Sequence, residues 1–167
     1  MRVQIIGKGN TASVKNALEH LGATVAEQAD LVVLAGVGAA DTAERCAVTA
    51  LVRKRVLGIC LGAQLLLDWC EEGDVAGLGL VPGKARKLWG RTPRLGWFPV
   101  SGKIAGTFYF VHSYYPDVTD KLATSWTTHE GQLFPAAYER GLLTGVQFHP
   151  EKSGEEGLRF LETWLAA

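Results

Sequence analysis

The chain has 167 residues, 47% of them hydrophobic and 20% charged. That length suits one domain with a sizeable core, and that composition excludes a disordered polar chain. Seventeen lysine and arginine residues balance seventeen acidic ones. This excludes a protein whose main task is neutralising nucleic-acid phosphates.

Val3–Ile6 reads as a short buried strand, stopped by Gly7-Lys8-Gly9-Asn10. Thr11 or Ser13 can cap a following helix with Val14, Leu18 and Leu21 on one face. The apolar run Ala29–Leu34 is a second strand, ending in Gly36-Val37-Gly38. Thr42–Arg53 reads as a short helix, Val56–Ile59 as a buried strand and Leu61–Trp69 as a helix. Alternation of apolar strands with helices predicts a parallel sheet covered on both faces. The second half offers strands at Gly77–Leu80, Thr107–Val111, Leu122–Trp126, Leu133–Ala137 and Leu143–Phe148. A last helix carries Leu158, Leu161 and Leu165, with Ser153 and Glu156 as a capping box. The expected fold class is α/β: one three-layer, flavodoxin-like or Rossmann-like open sheet over residues 1–167. It is mostly parallel with antiparallel additions, and flanked by helices.

Cys46, Cys60 and Cys70 are odd in number and match no zinc or disulfide framework. A reducing compartment is the simpler reading, and neither a membrane span nor a signal peptide is evident. The expected location is cytoplasmic. The four histidines are scattered, so no metal is expected. Gly7-x-Gly9 lacks the full dinucleotide fingerprint, so no cofactor is expected either.

No acidic residue lies between Asp74 and Asp117, whereas Lys84, Arg86, Lys87, Arg91, Arg94 and Lys103 do, with Trp89 and Trp97 among them. Such a tract suits an acidic protein face, a solvated loop with its tryptophans turned inward, or nucleic acid.

Gly58-Ile59-Cys60-Leu61-Gly62 sets a cysteine between a buried strand and a helix, the geometry of a nucleophile elbow. The helix N-terminus favours thiolate, and the Leu61 amide can face a developing oxyanion. A small buried core cysteine is the plain alternative. His149 follows another apolar strand, in Val146-Gln147-Phe148-His149-Pro150-Glu151. Parallel strands end on one rim, so His149 can meet Cys60 as its base, with Glu151 orienting the imidazole.

With these two motifs the chain resembles class I, triad-type glutamine amidotransferases. It is similar, within them, to the glutaminase subunits of imidazole glycerol phosphate synthase. The narrower resemblance rests on Gly7-Lys8-Gly9-Asn10, Gly36-Val37-Gly38-Ala39, Gly77–Gly83, Leu95-Gly96-Trp97, Phe110–Tyr115 and His149–Ser153. It implies that Cys60 attacks the carboxamide of L-glutamine, that His149 is base and then acid, and that Glu151 orients it. Val37 and Leu61 would form the oxyanion hole. Gly36, Gln64, Glu72, Ser113 and Tyr114 would hold substrate. His112 is expected to be structural or part of the substrate loop. The resemblance also implies a cyclase partner, a (β/α)8 barrel in a 1:1 heterodimer, fed with ammonia through a tunnel. Asn10, Trp97, Tyr109 and Lys152 would lie at that interface. The joint reaction yields imidazole glycerol phosphate and aminoimidazole carboxamide ribotide in histidine biosynthesis. Neither nucleic acid nor membrane is an expected partner.

The chain departs from the family pattern at Ala35, where proline is usual, at Ala63, where methionine is usual, and at Ile5-Ile6, in place of Asp-Tyr. It is also shorter, chiefly between Gly38 and Cys60. The alternatives are a glutaminase serving anthranilate, pyridoxal phosphate or purine synthesis, a cysteine peptidase on the same fold, and a noncatalytic regulatory subunit.

Overall fold

The computed structural model describes residues 1–7, 10–36 and 51–167. Val37, Cys46 and all of the expected Thr42–Arg53 helix up to residue 50 lie outside the described residues.

In chain order the first elements are β1 (Arg2–Ile6), α1 (Thr11–His20), β2 (Thr24–Val25), β3 (Leu31–Ala35), β4 (Arg55–Ile59) and α2 (Leu61–Leu65). A small group follows: β5 (Leu67–Cys70), β6 (Val75–Ala76) and β7 (Val81–Lys87). The remainder is β8 (Arg94–Gly102), β9 (Gly106–His112), β10 (Tyr114–Asp117), β11 (Ala123–His129), β12 (Gln132–Arg140), β13 (Leu143–Val146) and α3 (Gly154–Ala166).

Nine strands form one sheet in the order β2-β1-β3-β4-β13-β12-β11-β8-β9. The β2-to-β13 half is parallel, and every pairing from β13 to β9 is antiparallel. The α/β class stands, with antiparallel additions as extensive as the parallel part. A separate sheet, β10-β7-β5-β6, packs on one face.

The two-residue period of a strand explains why both faces are covered. In β3, Val33 and Ala35 join a core with α1 and α3, through Val14, Leu18, Leu161 and Trp164. Val32 and Leu34 face the other way, into a core with Leu66, Leu67, Val81 and Tyr138. Phe108 and Phe148 stack in the first core with ring centroids 4.1 Å apart, tying the antiparallel half to the strand end that carries His149.

Several expectations need correction. The helix expected over Leu61–Trp69 ends at Leu65, and the chain turns into β5. Leu65-Leu66-Leu67 is a continuous apolar run, which fits either period, and pairing with β6 and β7 decides it. Gly77–Leu80 is a loop between β6 and β7, its amides bonded to carbonyls of Leu65, Leu66, Leu67 and Asp68. The Ser153–Glu156 capping box does not form: Ser153 Oγ donates to His149 O at 2.6 Å and accepts from Tyr109 N at 2.9 Å, with Glu156 beside Arg159. The α1 N-cap position belongs to Asn10, whose side chain is used elsewhere. Strands β2, β6, β7, β8 and β10 went unforeseen.

The basic tract divides. Lys84, Arg86 and Lys87 are exposed on β7, where Arg86 pairs with Asp117 and Glu71. Trp89 turns inward, donating to His129 O at 3.0 Å. Trp97 stays half-exposed. Arg94 contradicts a surface reading: it is 2% exposed, with its guanidinium 3.7 Å from the Phe98 ring centroid and 4.2 Å from that of Phe110. It donates to Thr127 Oγ1 and Thr128 O.

Candidate active site

Adjacent strands bring the site together. Ile59 at the end of β4 pairs with Val146 at the end of β13 and with Ala35 at the end of β3. Cys60, Gln147 to Glu151, and Gly36 therefore leave one rim of the sheet side by side, as expected for strand ends of a parallel sheet.

Cys60 has φ 53° and ψ −108°, a backbone state that costs a non-glycine residue about 1–3 kcal/mol. Two bonds hold it there: Cys60 N donates to Val146 O at 2.8 Å, and Gln64 N to Cys60 O at 3.2 Å. The flanking glycines are required by space. A Cβ on Gly62 would lie 2.1 Å from Leu34 O, and one on Gly58 would lie 2.7 Å from Ala63 N. Both contacts are with backbone, so neither can be relieved by a rotamer change. The expected elbow is present, but α2 is only five residues long. Its aligned dipoles are few, so its field at the sulfur is smaller than that of a full-length helix.

His149 is anchored by its backbone, with N donating to Tyr109 O at 2.9 Å. Its Nδ1 lies 2.7 Å from Glu151 Oε1. The carboxylate can only accept, so Nδ1 carries the proton and Nε2 is left for another partner. Nε2 is buried without a hydrogen bond. Burial lowers the pKa of His149, but the nearby Cys60 sulfur and the hydrogen-bonded Glu151 carboxylate outweigh it and raise the value to about 9. That bias favours the imidazolium, the state His149 reaches when it takes a thiol proton.

The Glu151 side chain is 1% exposed and is itself held. Asn10 Nδ2 donates to the same Oε1 at 2.6 Å. A residue expected at a partner interface thus also holds Glu151, the expected third member of the triad, across 141 positions of sequence. The other interface candidates lie around the same segment. Tyr109 supplies the carbonyl under His149, Trp97 packs edge-on against the Tyr109 ring at 5.9 Å, and exposed Lys152 follows Glu151.

Beside the sulfur is a cavity of about 260 Å³, walled by Cys60, Leu61, Gln64, Glu72, His112, Ser113 and Tyr114. That is the scale of a small polar ligand, below the roughly 300–1,000 Å³ of drug-sized sites. Gln64, Glu72, Ser113 and Tyr114, four of the expected substrate contacts, meet here together with Leu61, an expected oxyanion donor. Gly36 sits on the same rim with φ 49°. Val37, the second expected oxyanion donor, is outside the described residues.

His112 also reaches this wall but cannot be the base. It is 6% exposed, and burial above all, with a smaller push from Arg94, drives its pKa down to about 3. Its Nδ1 donates to Tyr114 O at 2.7 Å, making it a neutral, structural donor. Cys70 is likewise unlike Cys60: burial raises its thiol to about 11, leaving it inert near neutrality.

Sequence reasoning missed Gln147, whose carboxamide touches the Cys60 sulfur. The available signal was a polar residue inside the apolar run Val146–Phe148.

A family model described as "Glutamine amidotransferase class-I" matches residues 3–166. The chain belongs to the class-I glutamine amidotransferase family. It is similar to proteins named imidazole glycerol phosphate synthase subunit HisH. The one from Exiguobacterium sibiricum is 40% identical over 95% of this chain and 90% of its own length. The one from Moorella thermoacetica is 41% identical with the same coverage. Solved structures share the fold. One glutamine amidotransferase superposes with a TM-score of 0.74 at 20% identity, covering 98% of each chain. Another, from Thermotoga maritima, gives 0.65 at 16% identity over 99% of this chain and 83% of its own. The protein is thus an amidotransferase-family enzyme, and among the described residues no helix is long and apolar enough to cross a membrane.

Proposed function

We propose that this chain is the glutaminase subunit of an imidazole glycerol phosphate synthase, acting in histidine biosynthesis as a single domain over residues 1–167. Membership of the amidotransferase family and the relatives at about 40% identity named as that synthase's HisH subunit support the reading. The single structural observation that carries the chemistry is the alignment of Cys60, His149 and Glu151 along one rim beside a small polar-walled cavity.

The reaction follows from that alignment. Glutamine enters the cavity, its side-chain carboxamide at Cys60 and its polar end toward Glu72, Ser113 and Tyr114. His149 Nε2 takes the thiol proton, and the sulfur attacks the carboxamide carbon. The Leu61 amide faces the developing oxyanion, with Val37 as the second donor. His149 returns the proton to the leaving nitrogen, and ammonia departs, leaving a γ-glutamyl thioester. Water, deprotonated by His149, then releases glutamate and restores the thiol. Glu151 stays ionised and keeps the imidazole aimed.

The partner is a cyclase subunit with a (β/α)8 barrel, bound 1:1, that receives ammonia through a tunnel. Leu95, Trp97, Tyr109 and Val111 pair across β8 and β9, and three of them are exposed apolar residues. They form a patch beside the triad, with Asn10 and Lys152 at its edge. A cytoplasmic location is part of the same proposal. The test is glutamate release with and without the barrel, for the native chain and Cys60→Ala. Activation by the barrel and loss in Cys60→Ala are expected. Retained turnover without the thiol would overturn the mechanism, and no turnover in any mixture would favour a noncatalytic subunit.

A further inference from the structure

Gln147 lies between β13 and His149 and is fully buried. Its Oε1 is 3.0 Å from Gln64 Nε2, and its Nε2 is 3.5 Å from Cys60 Sγ. A carboxamide can be turned end for end, so the direction of these bonds needs a cause. The cause is a group that cannot be reversed. The Tyr114 carbonyl oxygen only accepts, and it lies 3.1 Å from the Gln64 amide group. Turning Gln64 would set two oxygens against each other. Gln64 therefore presents its NH2 group, one hydrogen to Tyr114 O and the other to Gln147. Gln147 must then offer its oxygen to Gln64, which leaves its own NH2 for the sulfur. One backbone carbonyl sets the polarity of two side chains and delivers a donor to the nucleophile.

Among the described residues the sulfur has few other groups that favour its charge. His149, backed by Glu151, is one. The Val111 carbonyl, 3.8 Å away, and the Glu72 carboxylate on the cavity wall both oppose negative charge. His112 faces the same cavity as a neutral ring, and helix α2 is a single short turn. A hydrogen bond to an ion is roughly twice as strong as one to a neutral partner, so an N–H aimed at sulfur favours the thiolate over the thiol.

We infer that Gln147 is a thiolate-stabilising donor to Cys60, and that Gln64 fixes the direction of that donor as well as lining the substrate cavity. The inference rests on the reading of Cys60 as nucleophile. When the sulfur attacks, it loses its charge to the substrate oxygen, and the Gln147 bond weakens to that of a neutral acceptor.

The test is the pH dependence of Cys60 alkylation by iodoacetamide, measured on the full chain and read on the Cys60 peptide by mass spectrometry. Gln147→Met removes the donor at similar volume. It is expected to raise the midpoint by about one pH unit. Gln147→Glu keeps the shape, places a carboxylate at the sulfur, and is expected to raise it further. Gln64→Leu leaves Gln147 free to turn and is expected to give a smaller rise. Thermal melts identify any variant that fails to fold, and two Gln147 variants are included for that reason. Unchanged midpoints in the folded Gln147 variants would overturn the inference, even if glutaminase activity falls. An unchanged midpoint in Gln64→Leu alone would overturn the directional link. Alkylation needs neither glutamine nor the barrel. Failure of the nucleophile reading would appear separately, as glutamate release by Cys60→Ala.

Discussion

The ends of β9 and β13 each deliver a buried histidine to the same site, and the two behave in opposite ways. His149 has a carboxylate behind it and the Cys60 sulfur before it, and its pKa rises to about 9 despite burial. His112 has a backbone carbonyl for a partner and the Arg94 cation in its neighbourhood, and its pKa falls to about 3. Burial opposes the charge in both. The difference lies in whether the fold supplies an anion. One ring is prepared to take a proton, and the other is locked as a neutral hydrogen-bond donor. Residue type and burial together do not identify a base; the charge of the second partner does.

The comparison breaks most directly by removing each ring. His149→Asn is expected to lower glutamate release, measured with the proposed partner present, by about 10²–10⁴-fold, the usual range for a general acid–base group. His112→Gln removes one hydrogen bond to Tyr114 O and is expected to cost less than about tenfold, mainly in KM. Equal losses in the two would abolish the distinction.

Next in size is the support of the carboxylate. Glu151→Gln keeps an acceptor for His149 Nδ1 but removes the charge. A drop of about ten- to a hundredfold is expected, with the basic limb of the pH profile moving to lower pH. Asn10→Ala removes one donor to the same oxygen, and about a tenfold loss is expected. A pH profile unmoved in both variants would separate Glu151 from the base.

Stability against pH sharpens the contrast further. His149 has its folded pKa raised above the unfolded value of about 6.5, so its contribution is complete below that pH. It is lost as pH rises toward about 9. His112 has its folded pKa depressed, so its contribution is complete above about 6.5 and lost as pH falls toward about 3. Thermal melts across pH should lose alkaline sensitivity in His149→Asn and acid sensitivity in His112→Gln. The smallest effect is expected from Arg94→Met, which removes the cation near His112 while filling most of its space. The acid limb of stability should then move slightly upward. A shift downward would contradict the charge argument.

Legibility in the sequence followed the range of the interactions. The Cys60 elbow was readable because its causes are local: an apolar strand, then glycines at positions 58 and 62 whose Cβ atoms would collide with backbone. His149 and Glu151 were readable because two residues of spacing already place them together. Leu61–Trp69 misled because three consecutive leucines carry no period, and only pairing with distant strands selects β5 over a longer helix. Arg94 was counted with a basic surface because Phe110 and Phe134, which close around it with Phe98, come from strands far away in sequence. The partners of Gln147 and the Asn10–Glu151 bond were hidden for the same reason: they lie 83 to 141 positions away.

The central claim is that Cys60 carries the glutamyl group. Acid-quenching the chain during glutamine turnover with the proposed cyclase partner, then weighing the peptides, tests it most directly. The account predicts one γ-glutamyl addition on the Cys60 peptide of the native chain, and neither addition nor glutamate release in Cys60→Ala. Glutamate release by Cys60→Ala, or an addition on any other residue, would contradict it.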